Sequence, residues 1–333
     1  MERRDALKSA VALLGGSLAT FEIAATAQGS ALAAAPAASI SRKPHAPRAP
    51  FPYLQTGDRT TLFYKDWGTG DTAVVFVHGW PLHSDMWQYQ MLHLAGAGVR
   101  AIAYDQRGCG RSTDPGTGYD FDSLADDLGV LIDQMGLRKV VLVGHSIGTG
   151  QIVRYLSRHG SDKVSGIVLL AASLPYIQRS PDNPDGVDPA RFEHLRMRIR
   201  TDIPKWLGDA AKLFFIPETS PEMVQWGVRM CTENSIWALT QTNHTDVETD
   251  FRAELPNIKV RTLVVHGDAD RTCPLETTGR RIAQLIPGAE LRVYEGAPHG
   301  IFVTHMERFN NDLLEFVRDQ RSSFQTTSKW RSL

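Results

Sequence analysis

Six short runs, residues 73–77, 101–104, 140–143, 166–170, 262–265 and 291–294, are apolar almost throughout. Four or five consecutive apolar residues suit a strand covered on both faces, as in a parallel sheet. Between and after these runs the period changes. Leu124, Leu128, Leu131, Ile132 and Met135 recur at helical spacing, as do Ile152, Val153 and Leu156 ahead of Gly160, and Met306, Phe309, Leu313 and Val317 towards the end. This alternation predicts an α/β fold, a mostly parallel sheet flanked by helices. Residues 62–67 read as a further strand, one of an antiparallel pair at a sheet edge.

The rhythm breaks between 173 and 256. A turn-rich loop, Pro181-Asp182-Asn183-Pro184-Asp185-Gly186, leads into helix-like stretches carrying Trp206, Phe214, Phe215, Trp226 and Trp237. A helical insertion there would cap the carboxyl edge of the sheet, where open α/β folds bind ligands. The expected organisation is a core of residues 53–172 and 257–333 with a helical cap at 173–256. Most of the aromatic rings are expected to pack within the cap.

The N-terminal region has a different character. Arg3-Arg4 is followed by Leu7 and Lys8, an uncharged stretch runs from 9 to 21, and Ala25-Thr26-Ala27 offers an A-x-A cleavage site. Residues 1–27 therefore read as an export signal of the twin-arginine type, giving a periplasmic or secreted protein. Residues 28–52, rich in Ala, Pro and Ser, read as a flexible lead-in. No later stretch has the length and apolarity of a membrane span, so stable membrane insertion is not expected.

Charge narrows the partner. The 333 residues hold 36 Lys and Arg against 37 Asp and Glu, a formal net charge of −1, with no basic surface to suggest nucleic acid. A small, largely uncharged molecule is the expected partner, and homo-oligomerisation stays open. Cys109, Cys231 and Cys273 are odd in number and far apart, with no C-x-x-C spacing, and no H-E-x-x-H or comparable pattern occurs, so neither a disulfide framework nor a metal site is expected.

The candidate chemistry lies at the ends of the strand-like runs. Gly144-His145-Ser146-Ile147-Gly148 follows one run directly and precedes a helical stretch. A G-x-S-x-G pentapeptide alone is common, and by itself would suit a plain helix-entry loop. Between strand and helix it describes a sharp turn that exposes a nucleophilic serine, with glycines that let helix and strand approach. Serine needs a base, and the base needs an orienting group. His299 in Ala297-Pro298-His299-Gly300 and Asp270 in His266-Gly267-Asp268-Ala269-Asp270 follow later runs, in the order serine, acid, histidine. Asp268 shares the loop but lies closer to the strand, where pinning the turn is its expected role. The oxyanion donors would be the backbone N–H of Ile147 and that of Trp80, in the turn His78-Gly79-Trp80-Pro81 after the run at 73–77. Trp80, Pro81 and His145 are the expected pocket residues.

Together with Asp105-Gln106-Arg107-Gly108-Cys109-Gly110-Arg111-Ser112 and Asp85-Met86-Trp87, these motifs resemble the α/β-hydrolase superfamily. Within it the chain is similar, from about residue 63 to 316, to the cofactor-free bacterial haloperoxidases and related aryl esterases. The resemblance implies a helical cap on an α/β-hydrolase core and no cofactor. It also implies ester hydrolysis through an acyl-enzyme, and perhydrolysis in which hydrogen peroxide takes the acyl group to give a peracid. Where the family commonly has phenylalanine and methionine around the nucleophile, this chain has His145 and Ile147, which bear on pocket shape and on the balance of water against peroxide. Alternative readings are lactone or C–C bond hydrolysis on the same fold, and a non-catalytic ligand receptor. Ser146 argues against the epoxide hydrolases and haloalkane dehalogenases, which place an aspartate at this position.

Overall fold

The computed structural model describes residues 52–327. The expected signal at 1–27 and all of the expected lead-in but Pro52 lie outside them. Eight strands occur among the described residues: β1 (Tyr53–Gln55), β2 (Thr61–Trp67), β3 (Ala73–Val77), β4 (Arg100–Tyr104), β5 (Val140–His145), β6 (Val164–Leu170), β7 (Arg261–Gly267) and β8 (Glu290–Tyr294). They form one sheet in the order β1-β2-β4-β3-β5-β6-β7-β8. The first two pairings, β1 with β2 and β2 with β4, are antiparallel, and every later pairing is parallel.

The helices follow from amphipathic stretches, several of them with a side-chain cap at the N-terminus. They are α1 (Gln88–Gly96), α2 (Phe121–Gln134), α3 (Ile147–His159), α4 (Pro189–Phe214), α5 (Pro221–Thr232), α6 (Ile236–Glu248), α7 (Gly279–Leu285), α8 (Ile301–Thr304) and α9 (Met306–Thr327). The Asp120 carboxylate accepts from Ser123 N at 2.8 Å to start α2, whose Leu124, Leu128, Leu131 and Ile132 are fully buried. Residues alternate across the central strands. Val75, Val77 and Leu142 pack with α2 and α3, whereas Val74, Phe76, Val141 and Val143 pack with α1 and α9.

Burial on both faces holds for β3, β5 and the inner part of β7, and fails for β8, where residues 290–293 keep solvent contact. The reason is position: β8 pairs only with β7 and forms the sheet edge. Its Arg292 is held by Glu290, Asp312 and Glu315, and charge on an exposed edge discourages pairing with another chain.

Three helices, α4 to α6, lie between β6 and β7 in the chain. The run of α4 breaks at Asp202, where φ/ψ is −158°/81°, just ahead of Pro204. Proline cannot supply the helical N–H, and the Asp202 carboxylate restarts the helix by accepting from Lys205 N at 3.0 Å. The aromatic rings distribute differently from the expectation. Trp206, Phe214 and Phe215 face a cavity, Trp226 packs edge-on against Tyr89, and Trp237 is 54% exposed with its indole N–H donating to Gly116 O.

Candidate active site

Ser146 sits between β5 and α3 with φ 53° and ψ −124°, a conformation that costs an L-residue about 1–3 kcal/mol. Tertiary contacts hold it there. Its N–H donates to Leu170 O on β6 at 3.0 Å, and its carbonyl accepts from Thr149 N at 3.0 Å and Thr149 Oγ1 at 2.6 Å. The flanking glycines are needed for approach. A Cβ on Gly148 would lie 2.7 Å from Val77 O and 2.8 Å from His78 O, and one on Gly144 would lie 2.8 Å from Gly148 O. The N-terminus of α3 is thereby seated against the end of β3.

That seating brings the two expected oxyanion donors into one neighbourhood. Ile147 is the first residue of α3, so its N–H has no intrahelical acceptor. Trp80 stands in the turn leaving β3, closed by Leu82 N donating to Gly79 O at 2.9 Å. Gln106 locks this turn from both sides: its backbone N–H donates to His78 Nε2 at 3.0 Å and its side-chain amide to His78 O at 2.9 Å. His78 Nδ1 is then the protonated nitrogen, donating to Gly79 O at 3.1 Å. Burial holds the His78 imidazole down at about 4, so it stays neutral. The next residue anchors the loop, since Arg107 pairs with Asp127 through two bonds of 2.7 Å.

Asp270 and His299 meet in the interior. His299 Nδ1 donates to Asp270 Oδ2 at 2.7 Å, and the residues are 2% and 4% exposed. Burial alone would raise the Asp270 carboxyl; the charge and hydrogen bond of His299, with His266 and the Cys273 N–H, bring it below its ordinary value. Its other oxygen, Oδ1, accepts from Thr272 N and Cys273 N, both at 2.9 Å. Asp268 turns elsewhere, accepting from Gly296 N at 2.7 Å across the two loops.

Ser146, His299, Trp80 and Pro81 all line one cavity of about 320 Å³, roofed by Leu195, Trp206 and Phe214 of α4. His145 does not. Contrary to the expectation of a pocket residue, it is fully buried behind the site, its Nε2 donating to His299 O at 3.0 Å and its ring close to Trp87, Phe214 and Phe302. It shares the strand face of Val141 and Val143, which the period of two turns towards α1 and α9. A Cβ on Gly79 would lie 2.2 Å from His145 Nδ1, so the ring underlies the turn that carries Trp80 as well. Burial lowers it to about 3, and Nδ1 has no hydrogen-bond partner among the described residues.

Several polar residues of the cavity belong to no sequence motif, and two of them are hydrogen-bonded to each other. Ser173, just beyond β6, and Asp246, in α6, face the same space as Ser146, with a 2.7 Å hydrogen bond between them. A lone aspartate in a helical stretch carries no spacing signal, and only the packing of α6 over the sheet brings it in.

The chain belongs to the α/β-hydrolase fold family, whose model matches residues 72–306. Within that family it is similar to a non-heme chloroperoxidase of Kitasatospora aureofaciens, 43% identical over 277 residues that cover 80% of this chain and 99% of that protein. It is also similar to a bifunctional esterase/perhydrolase of Acinetobacter calcoaceticus, 35% identical over 80% of this chain and 99% of that protein. Among solved structures, a bromoperoxidase from Bacillus anthracis superposes with a TM-score of 0.75 at 35% identity, covering 78% of this chain and 96% of the other.

Proposed function

We propose that the protein is a serine carboxylesterase and perhydrolase. Ser146 Oγ attacks the ester carbonyl while His299 takes its proton and Asp270 stabilises the imidazolium. The oxyanion is held by the N–H groups of Trp80 and Ile147, each worth roughly 3–4 kcal/mol in reactions of this type. His299 returns the proton to the leaving alkoxide, which departs as the alcohol. Water or hydrogen peroxide then attacks the acyl-enzyme, losing a proton to His299, and the acid or peracid leaves as Ser146 recovers that proton. The released peracid oxidises halide in solution.

The observation that carries this reading is the buried 2.7 Å His299–Asp270 pair beside a backbone-strained serine in one cavity. Peroxide use is supported by relatives named as chloroperoxidase and perhydrolase, and by Pro81. Proline fixes φ and removes an N–H next to the Trp80 donor. The Pro81 carbonyl is engaged by the Asn234 amide, and the Trp80 carbonyl, one residue back, would orient an incoming nucleophile.

The experiment compares wild type with Pro81→Leu. Peracetic acid formed from acetate and peroxide, read by bromination of monochlorodimedone, is expected to fall more than hydrolysis of an aryl ester. Equal losses would reduce the protein to a plain carboxylesterase. We also propose export, on Arg3-Arg4 and Ala25-Thr26-Ala27. Replacing both arginines by lysine is then expected to leave the precursor in the cytoplasm, and undiminished export would exclude that route.

A further inference from the structure

Among the largely apolar walls of the cavity stands a second carboxyl group, that of Asp246. Its one hydrogen bond among the described residues comes from Ser173 Oγ, which donates to Oδ1 at 2.7 Å, and no arginine or lysine pairs with it. A buried carboxyl ordinarily gathers several donors or a cation, because desolvating it otherwise costs several kcal/mol. Asp246 keeps part of its surface accessible while lining the cavity, so an occupant can reach its unshared oxygen.

The helix gains nothing from this acid. α6 is capped at its other end by Ser235, and Asp246 lies in its last turn, where a negative charge opposes the helix dipole. Burial pushes the carboxyl up to about 7, against the opposing effects of the Ser173 bond and the charge of His299. Uncompensated cost at the wall of a reactive cavity marks a group held for a ligand.

We propose that Asp246 is a specificity-determining residue, accepting a hydrogen bond from a hydroxyl or amine on the part of the substrate that lies beneath α6. The preferred esters then carry a donor away from the scissile carbonyl. This rests on the esterase reading above. The other charged or titratable groups on this cavity are His299 from the loop before α8, Arg271 and Cys273 from the loop after β7, and Cys231 from α5, with Asp270 behind His299. From α4, Arg196 reaches only as far as Asn243 Oδ1, at 3.1 Å.

The test is a ratio of kcat/KM within matched pairs. On the acyl side, 4-nitrophenyl butyrate is compared with its 3-hydroxy and 3-amino analogues. On the alcohol side, phenyl acetate is compared with 3-(hydroxymethyl)phenyl acetate. A donor bound by a carboxylate should favour the substituted member of at least one pair by about tenfold or more. The amino and hydroxy esters separate a cationic donor from a neutral one. Any effect of pH on the shared acyl-transfer machinery acts on both members and cancels, so the preference is expected to rise as pH carries Asp246 from acid to carboxylate, and this arm needs no variant. In Asp246→Asn the preference and its pH dependence should collapse, while Glu248→Gln, on the exposed side of the same helix, should keep both. No preference in wild type, or a ratio unchanged in Asp246→Asn, overturns the proposal. Failure of the esterase reading looks different: no ester of either kind is turned over, and a fluorophosphonate leaves Ser146 unlabelled.

Discussion

Two aspartates two positions apart do different work. Asp270 gives one oxygen to His299 Nδ1 and the other to two backbone N–H groups, so its carboxylate is held from both sides. Among the described residues, Asp268 accepts only a loop N–H from Gly296. Asp270→Asn is therefore expected to lower kcat for an aryl ester by about 10⁴-fold, because the amide favours the wrong imidazole tautomer. Asp268→Asn should cost about 1 kcal/mol of stability, the worth of one hydrogen bond, with kcat nearly intact. Steady-state kinetics and urea unfolding of both variants check this, and the reverse order of kcat losses would assign the orienting acid to Asp268. At this scale the sequence is readable wherever a residue follows a strand end, which is how Ser146, Asp270 and His299 stand out. It is not readable for His145, where adjacency to Ser146 says nothing about which strand face the ring takes. Asp246 is invisible for another reason, since its place depends on how α6 packs.

The elbow is a property of β3, β5 and α3 together. Gly148 lets α3 start against the carbonyls of Val77 and His78, immediately before the turn that offers the Trp80 N–H. Gly148→Ala must push helix and strand apart by a few tenths of an ångström. Because the proposed oxyanion donors sit on either side of that contact, turnover is expected to fall by about 10² to 10³-fold, the loss seen for one donor. Inhibition by a fluorophosphonate should slow in parallel, and undiminished turnover would mean that the helix start does not set the hole. Inner strands are legible as apolar runs because both of their faces are covered. The edge strand β8 is legible only as a strand, since its half-exposed residues do not show where the sheet ends. The break in α4 follows from Pro204 and the Asp202 restart. The aromatic residues of the cap gave no such direction: their period marks helices, and only the assembled fold turns Trp206, Phe214 and Phe215 to the cavity.

At the scale of the molecule, the site is built on histidines that the fold keeps neutral. Burial lowers His78 to about 4 and His145 to about 3, against 6.5 for an ordinary histidine. Between pH 6.5 and 4 the unfolded chain therefore takes up protons that the folded one refuses, and stability falls as pH falls. Each histidine should contribute roughly 1 kcal/mol per pH unit in that window. Asp270 adds to the loss only lower still, as pH drops through its depressed folded value. Urea unfolding at pH 7 and pH 5 should show the difference, and equal stability at the two would mean that these rings are not buried neutral. The central claim is that one serine serves both ester hydrolysis and peracid formation, and a single titration reads it most directly. Purified enzyme is treated with increasing amounts of a fluorophosphonate, the labelled residue is mapped, and aryl ester hydrolysis and acetate-dependent peracid formation are followed at each step. The expected result is label on Ser146 alone, with both activities falling together to zero at one label per chain. Label on another residue, or either activity surviving complete modification of Ser146, would contradict it.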